Sequence, residues 1–289
     1  MKVCGFTIIR NAEKYDYPVV ESINSLLPLV DHLIVLVGES EDNTKAVIES
    51  ISPRIQVVDS VWDDSLREGG RVLALETDKA FQLIPPDYDW TIYLQADEVI
   101  HEQDYDTIRQ GMKKYQSDPS IDGLLFDYNH FYGSYDYLAT SSKWYRKEIR
   151  IIKNNKNIFS YKDAQGFRKK PNMKLTVTKI EATIYHYGWV KPPSKMQAKQ
   201  ENFNKLWHND DWVDANVAKK AEFDYSDVDQ LTLFTSDHPK SMLNRITSKN
   251  WKFDHDITKD RSTMKEKVRR FIEKMTGWLP GEYKNYRLK

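Results

Sequence analysis

The chain has 289 residues, with 43 Lys and Arg balanced by 43 Asp and Glu and a single cysteine, Cys4. The zero net charge argues against a general nucleic-acid binder, the single cysteine excludes an internal disulfide framework, and no stretch has the ~18 consecutive apolar residues of a membrane span. The N-terminal run meets charge after a short apolar stretch, which predicts a first strand and not a signal peptide. We therefore expect a cytoplasmic protein.

Short apolar, β-branched runs alternate with segments of helical periodicity in the first hundred residues. Strands are predicted at 2–10, 31–40, 54–62 and 89–98, and helices at 17–29, 43–51 and 69–84. Beyond them, a helix at 105–116 and less regular strands at 121–133, 147–154 and 174–188 are expected to join the same sheet. This order predicts an α/β fold that binds ligands beyond the carboxyl ends of its parallel strands.

The run DWTIYLQADEVIHEQD, residues 89–104, ends a predicted strand with Asp97 and Glu98. Carboxylates at the end of a buried strand are costly to desolvate unless a cation meets them. Mg²⁺ is typically held by one or two protein carboxylates plus phosphate oxygens of the substrate. We favour a metal site here over the alternative, in which both acids only cap or solubilise a loop.

Other polar residues follow predicted strands. His186, in ATIYHYGW, can bind the same metal or a phosphate, although a lone histidine is more often structural. Ser40 and Asp42 either cap the next helix or line a nucleoside pocket. Most lysines are solvated, so only some of the cations that could neutralise a diphosphate can serve; they are Arg71, Arg150, Lys191, Lys195 and Lys199.

Taken in order, VCGFTIIRNAEKY, IVLVGESEDNT, DWTIYLQADE, EIRIIKN and IYHYGW resemble the family 2 type of nucleotide-sugar glycosyltransferase, which has the GT-A fold. The resemblance covers about residues 2–189. It implies a GT-A-like Rossmann-type mixed sheet flanked by helices. The implied reaction is the inverting transfer of a sugar from a nucleoside-diphosphate donor to a hydroxyl, with Mn²⁺ or Mg²⁺ as cofactor, in cell-surface glycan or polysaccharide synthesis.

Positions in the resemblance suggest roles for individual residues. Asp97 would hold the metal, and His186 would match the late histidine near it. Glu98 is a further candidate ligand because it is the second acid of the strand-end pair. The residues expected to bind the nucleotide-sugar are Glu39, Ser40, Asp42, Arg71, Gln95, Ala96, Asp97, Arg150 and Lys195. Two departures stand out, because Gln95 replaces the first motif aspartate and Val37 replaces an aspartate that contacts the base. Glu39 could substitute for the latter, whereas Gln95 removes a charge and should weaken metal binding.

An inverting transfer needs a base that deprotonates the acceptor hydroxyl. Asp163, in YKDAQGF, is the preferred candidate and Asp127, in LLFDYNHFYG, competes with it. Taken singly, each is more often an ordinary turn or surface aspartate.

The predicted core spans 1–190, with a nucleotide-sugar half at about 1–100 and an acceptor half at about 101–190. A mostly helical extension is expected at 191–289, ending in a tail with ten Lys and Arg against four Asp and Glu from Thr258 onward. MKEKVRRFIEKM in this tail predicts an amphipathic helix that packs on the core with its cations in water. The alternative is attachment to the inner face of an anionic membrane, near a lipid-linked acceptor and with Trp278 at the interface.

Two other functions compete with glycosyl transfer. A nucleotidyltransferase on a related sheet would tend to have a glycine-rich phosphate loop after the first strand, and FTIIRNAEKY has no glycine there. A degenerate nucleotide-sugar-binding protein would explain Gln95 and Val37 as marks of lost catalysis.

Overall fold

The structure is a computed structural model, and it describes residues 1–66, 69–217, 219–258, 260–276 and 279–289. Trp278, expected at a membrane interface, lies outside the described residues. The first half alternates strands and helices as predicted: β1 (Val3–Ile9), α1 (Val19–Leu26), β2 (His32–Gly38), α2 (Thr44–Glu49), β3 (Ile55–Ser60), α3 (Arg71–Gln82) and β4 (Trp90–Tyr93). The four strands run parallel, with β1 between β2 and β4 and with β3 beyond β2. Their carboxyl ends therefore meet at one edge of the sheet.

Both faces of this sheet are buried. Along β2, Leu33 and Val35 pack in one core cluster with Ile23 of α1. The alternate residue Ile34 packs in a second cluster with Phe81 of α3. Helices on both faces explain why the strand is a continuous apolar run in the sequence and not an alternating one.

The second half extends the same sheet. Its elements are β5 (Glu98–Ile100), α4 (Tyr105–Tyr115), β6 (Gly123–Tyr132), β7 (Tyr137–Ala139), β8 (Lys147–Lys153), β9 (Ile158–Tyr161), β10 (Gly166–Lys169) and β11 (Met173–Trp189). The main path through the sheet is β3-β2-β1-β4-β8-β6-β11-β10-β9. Strand β8 is antiparallel to both of its neighbours, whereas β6 and β11 are parallel. A mixed sheet flanked by helices confirms the predicted fold class.

The fourth strand is shorter than the predicted range of 89–98. It ends at Tyr93, and a turn at Ala96 and Asp97 separates it from β5. Strand β5 then pairs antiparallel with β11. The acidic motif therefore lies between two strands, in a turn that β11 helps to hold.

The C-terminal extension is less helical than expected. It contains α5 (Pro193–Lys205), α6 (Asp210–Asn216), β12 (Leu231–Leu233), α7 (Leu243–Thr247), α8 (Met264–Thr276) and β13 (Tyr286–Leu288), and its helices cover less than half of its described residues. Strand β13 adds to β11 in parallel, and β12 pairs with β7. These pairings attach the extension to the core sheet. Among the described residues, none of the helices has the length and apolar character needed to span a membrane.

Candidate active site

A cavity of about 300 Å³ opens at the edge of the sheet where β1 and β4 end. Of the residues expected to act, those that line it are Gln95, Ala96, Asp97, Asp163 and His186. Lys199 of α5 lines it as well. The fold thus gathers polar side chains from four separate parts of the chain into one space, as expected for ligands of a sheet of this type.

Asp97 and His186 meet because of the register between β5 and β11. Glu98 lies opposite His186 in this antiparallel pair. The amide of Tyr187 donates a hydrogen bond to the carbonyl of Asp97 at 2.8 Å. As a result, His186 Nε2 lies 3.7 Å from Asp97 Oδ1, and both side chains are buried.

A second histidine orients the ring of His186. His130 Nε2 lies 2.7 Å from the carbonyl oxygen of Tyr145, which can only accept, so this nitrogen carries a hydrogen. Burial lowers the pKa of His130 well below its usual value, so the ring is neutral and its Nδ1 is an acceptor. His186 Nδ1, 3.1 Å away, must donate to it. Burial also lowers the pKa of His186, so this ring is neutral and points an Nε2 lone pair toward Asp97, the state that binds a metal ion.

Asp97 is ionised and paired with a lysine. Burial by itself would raise the pKa of Asp97, but the ammonium of Lys199 outweighs it and lowers the pKa to about 2. Lys199 Nζ lies 3.2 Å from Asp97 Oδ2 and donates to the carbonyl of Gly188 at 2.9 Å. Asp97 and Lys199 thus form an ion pair in the cavity. A metal ion can replace the ammonium as the partner of the carboxylate, and an anionic ligand can replace the carboxylate as the partner of the ammonium.

Gly188 leaves space beside these groups. A methyl group at this position would lie 2.6 Å from Asp97 Oδ2 and 2.7 Å from His186 Nε2. Glycine therefore keeps the space beside both donor atoms free of a side chain. An oxygen and an imidazole nitrogen suit Mn²⁺ better than Mg²⁺, which prefers oxygen alone. Within the described residues, no group of three or more His, Cys, Asp and Glu side chains could hold a metal, and water and a bound phosphate are the usual further ligands of such a cation.

Glu98 does not fit its expected role as a metal ligand. Its side chain is 0% exposed, and Arg150, also 0% exposed, binds both carboxylate oxygens through Nε and Nη2 at 2.7 Å each. The hydroxyl of Tyr128 and the amide of Gln95 donate to the same two oxygens. The expectation that Arg150 binds the donor diphosphate is also wrong, because its guanidinium is used inside the fold.

The predicted nucleoside loop has a structural role. Ser40 accepts from the amide of Asn11 and donates to the carbonyl of Gly38. Asp42 accepts from the amides of Lys14 and Thr44. Neither residue lines the cavity. These contacts join the loop after β1 to the loop after β2, which corrects the expectation that Ser40 and Asp42 contact a nucleoside.

Glu39 and Val37 also lie outside the cavity lining. Val37 is buried in the core, as the apolar residue of a covered strand must be. The side chain of Glu39 is exposed, while its carbonyl accepts from Arg10 Nε at 3.0 Å. This geometry therefore does not support the hypothesis that Glu39 contacts the nucleobase in place of an aspartate at position 37.

Four of the five cations considered for the diphosphate do not line the cavity. Arg71 is exposed at the start of α3 and does not line the cavity. Lys195 donates to the carbonyls of Glu13 and Lys14 and holds α5 to the loop after β1. Lys191 is fully buried and donates to the carbonyl of Asp16 at 2.6 Å, and burial lowers its pKa well below the usual value. Of the five cations considered, Lys199 is the one in the cavity lining.

The two candidate bases differ in their position relative to the cavity. Asp163 lines the cavity, and burial raises its pKa above the usual range of an aspartate. Asp127 lies on β6, 2.8 Å from Lys179 Nζ and 3.6 Å from Lys147 Nζ, and does not line the cavity. The geometry favours Asp163 and argues against Asp127.

Two further residues of the cavity lining were not expected from the sequence. Arg10 follows β1 and lines the cavity, and its Nη1 donates to Asp64 Oδ1 at 2.9 Å. Its guanidinium is 5.8 Å from the ring of Trp62, another lining residue. The indole N–H of Trp62 is buried and meets no hydrogen-bond partner in the part of the chain that the structure describes. A cation directly after the first strand was a visible signal for Arg10, whereas nothing local marks Trp62 or His130.

An open cleft of about 860 Å³ adjoins the cavity. Trp189 and Gln200 line both. The cleft also has an aromatic lining with acidic side chains among it: Tyr132, Trp144, Trp212, Phe223, Asp224 and Asp227. This combination offers apolar rings and hydrogen-bond acceptors to a polar ligand of extended shape.

No family model and no curated protein matches the sequence. Solved structures with some similarity include Staphylococcus aureus TarS, at 13% identity and a TM-score of 0.42 over 70% of this chain and 39% of that one. Mycobacterium tuberculosis glucosyl-3-phosphoglycerate synthase, solved with Mn²⁺, UDP and phosphoglyceric acid, has 18% identity and a TM-score of 0.29 over 45% of this chain and 43% of that one. The 4-diphosphocytidyl-2C-methyl-D-erythritol synthase of Anaerococcus prevotii has 9% identity and a TM-score of 0.33, covering 53% and 70%. TM-scores below 0.5 assign no activity to this chain.

Proposed function

We propose that this chain is an inverting glycosyltransferase that takes a sugar from a nucleoside-diphosphate donor. The observation that carries the proposal is the arrangement of Asp97, the Nε2 lone pair of His186 and Lys199 around one cavity at the carboxyl ends of parallel strands. A carboxylate and an imidazole suit a cation, and the ammonium suits the diphosphate that accompanies it. The sequence resemblance to family 2 enzymes agrees with this chemistry.

The cavity lining offers different groups to the parts of a donor. Trp62 supplies an aromatic ring and Arg10 a cation for the nucleoside. Lys199 supplies charge for the diphosphate. Gln95 lies beside Asp97 and donates to the carbonyl of Ala164 at 3.3 Å, which fixes its amide in the cavity wall.

Asp97 and His186 fit a divalent cation as a partial site, because Gly188 leaves space next to both donor atoms. We expect Mn²⁺ to be preferred, since one of the two ligands is nitrogen. The chemistry that such a cation supplies is neutralisation of the diphosphate and of the charge that develops as it leaves. His130 holds the tautomer of His186 that makes this binding feasible.

The transfer is a single displacement. The acceptor oxygen forms a bond to the anomeric carbon while the bond from that carbon to the diphosphate breaks. The acceptor proton passes to Asp163, whose raised pKa suits a general base, and the electron pair leaves with the diphosphate, where Lys199 offsets its charge.

The aromatic cleft is where we place the acceptor. Trp189 forms part of both spaces, so an acceptor in the cleft would reach the donor without a long path. Sugar rings present C–H faces that pack on aromatic side chains and hydroxyls that donate to carboxylates. A glycan acceptor, as in polysaccharide synthesis, fits this lining.

Titration calorimetry with nucleoside diphosphates, with and without Mn²⁺, tests the donor site. We expect binding that Mn²⁺ strengthens at least tenfold in the wild type and not in Asp97→Asn. Asp127→Asn is the matched control, because this residue lies outside the cavity lining and should bind like the wild type. If Mn²⁺ has no effect and Asp97→Asn tightens binding by releasing Lys199, the metal assignment is overturned and the lysine alone binds phosphate.

The base is tested by turnover. Asp163→Asn keeps the size and polarity of the side chain but removes its basicity, so we expect a loss of at least a hundredfold in kcat with donor affinity unchanged. The same change at Asp127 should leave kcat within about twofold. Equal, small losses in both variants would reject Asp163 as the base.

A further inference from the structure

Helix α8 exposes its apolar residues. Met264 is 74% exposed, Val268 53%, Phe271 65% and Met275 70%. Their spacing of three and four residues places them on one stripe of the helix, which is ~20 Å long. Packing of this face against the core, the arrangement expected from the sequence, is therefore wrong.

The opposite, polar face attaches the helix to the core. Glu266 accepts from the hydroxyl of Ser142 at 2.6 Å, and Arg269 donates to the same hydroxyl at 2.8 Å. Glu273 pairs with Arg146 of the core. Arg270 binds Asp260 at 2.7 Å. These contacts fix the rotation of the helix, so the apolar stripe faces away from the protein.

The charges on the free side are all of one sign. Lys265 flanks the stripe on one side, and Lys267 and Lys274 flank it on the other; all three are exposed. Lys267 lies 4.0 Å from Asp260, a carboxylate already bound closely by Arg270. Both acidic residues of the helix, Glu266 and Glu273, are on the attached face. The outward surface is thus an apolar stripe with one lysine on one flank and two on the other.

We infer that α8 binds in the plane of an anionic lipid surface. Lysines on both flanks match the negative headgroups of such a surface, while the stripe matches the depth at which acyl chains begin. A stripe of four side chains is far smaller than the ~20–30 residues per partner of a standard protein interface, which argues against a second copy of the chain as the occupant. This attachment would hold the protein at the membrane surface.

Co-sedimentation of the full chain with vesicles tests the inference. We expect binding to vesicles of phosphatidylcholine with phosphatidylserine at low salt, at least tenfold weaker binding to phosphatidylcholine alone, and a further loss at high salt. Each lysine near the surface contributes roughly fivefold in affinity, so the double variant Lys265→Gln/Lys274→Gln should lose about 25-fold. Truncation before α8 is not a suitable variant, because it removes β13 from the sheet.

The apolar stripe is tested by Val268→Ser/Phe271→Ser, which replaces exposed side chains and leaves the attached face intact. Leu243→Ser, on the separate helix α7 and 48% exposed, is the matched control. We expect at least a tenfold loss of vesicle binding in the first variant and none in the control, with unchanged circular dichroism in both. Equal binding to neutral vesicles, wild-type binding by the double serine variant, or absence of binding at low salt would overturn the inference. So would a dimer in solution that the double serine variant dissociates.

Discussion

Replacement of Arg150 by methionine tests whether the buried pair beside Asp97 is structural. Arg150 donates from Nε and Nη2 to Glu98 at 2.7 Å each, and neither side chain is exposed. The methionine would leave the Glu98 carboxylate buried with only two neutral donors, Tyr128 Oη and the backbone amide of Gln95. The loss of one partner of a buried ion pair costs ~3–5 kcal/mol, so we expect the free energy of unfolding to fall by that amount.

Two further variants separate charge from geometry. Arg150→Lys keeps a positive charge but loses the bidentate contact with Glu98. Its free energy of unfolding should therefore lie between those of the wild type and Arg150→Met. The double variant Glu98→Gln/Arg150→Met removes both charges and keeps an acceptor for Tyr128, and it should recover at least ~2 kcal/mol of the loss. Urea unfolding followed by circular dichroism gives these free energies, provided that the denaturant slope is unchanged.

The alternative role for Arg150 is contact with a donor phosphate, as first expected from the sequence. In that case Arg150→Met would abolish nucleoside-diphosphate binding while the free energy of unfolding stayed within ~1 kcal/mol of the wild type. That result would refute the structural assignment of both residues.

Three other changes have definite expectations. Burial raises the pKa of Glu148 from 4.5 to about 7, so its contribution to stability is fully present below pH 4.5 and is lost as the pH rises to 7. Glu148→Gln cannot ionise, so its stability relative to the wild type should increase by ~3 kcal/mol between pH 4.5 and pH 7.5 in urea unfolding, and a constant difference would contradict the shift. Gln95→Asp restores a carboxylate in the cavity wall and should strengthen Mn²⁺-dependent diphosphate binding without a matching gain in turnover; weaker Mn²⁺ dependence in calorimetry would mean that Gln95 does not face the cation. Trp189→Ala removes a ring shared by the cavity and the cleft, so the acceptor KM should rise at least tenfold, and an unchanged KM would place the acceptor elsewhere.

The sequence alone was sufficient for the parallel half of the sheet. Apolar runs such as that of β2 are local signals, and helices on both faces of the strand require them to be continuous. The sequence also predicted Asp97, His186 and Asp163 as site residues, because polar residues that follow buried strands or occupy turns lie where such folds bind ligands, and all three line one cavity.

Only the tertiary structure decided between residues that look alike in the sequence. Asp97 and Glu98 are adjacent acids, yet one faces the cavity and the other is neutralised by Arg150, 52 residues further along the chain. His186 acquires its orientation from His130 on a neighbouring strand. In α8, periodicity predicted an apolar face but not its direction, which depends on Ser142 and Arg146 binding the polar face instead. Periodicity reports on neighbours within one element, whereas the partner of a charge or of a helix face is set by strand register and by contacts between distant segments.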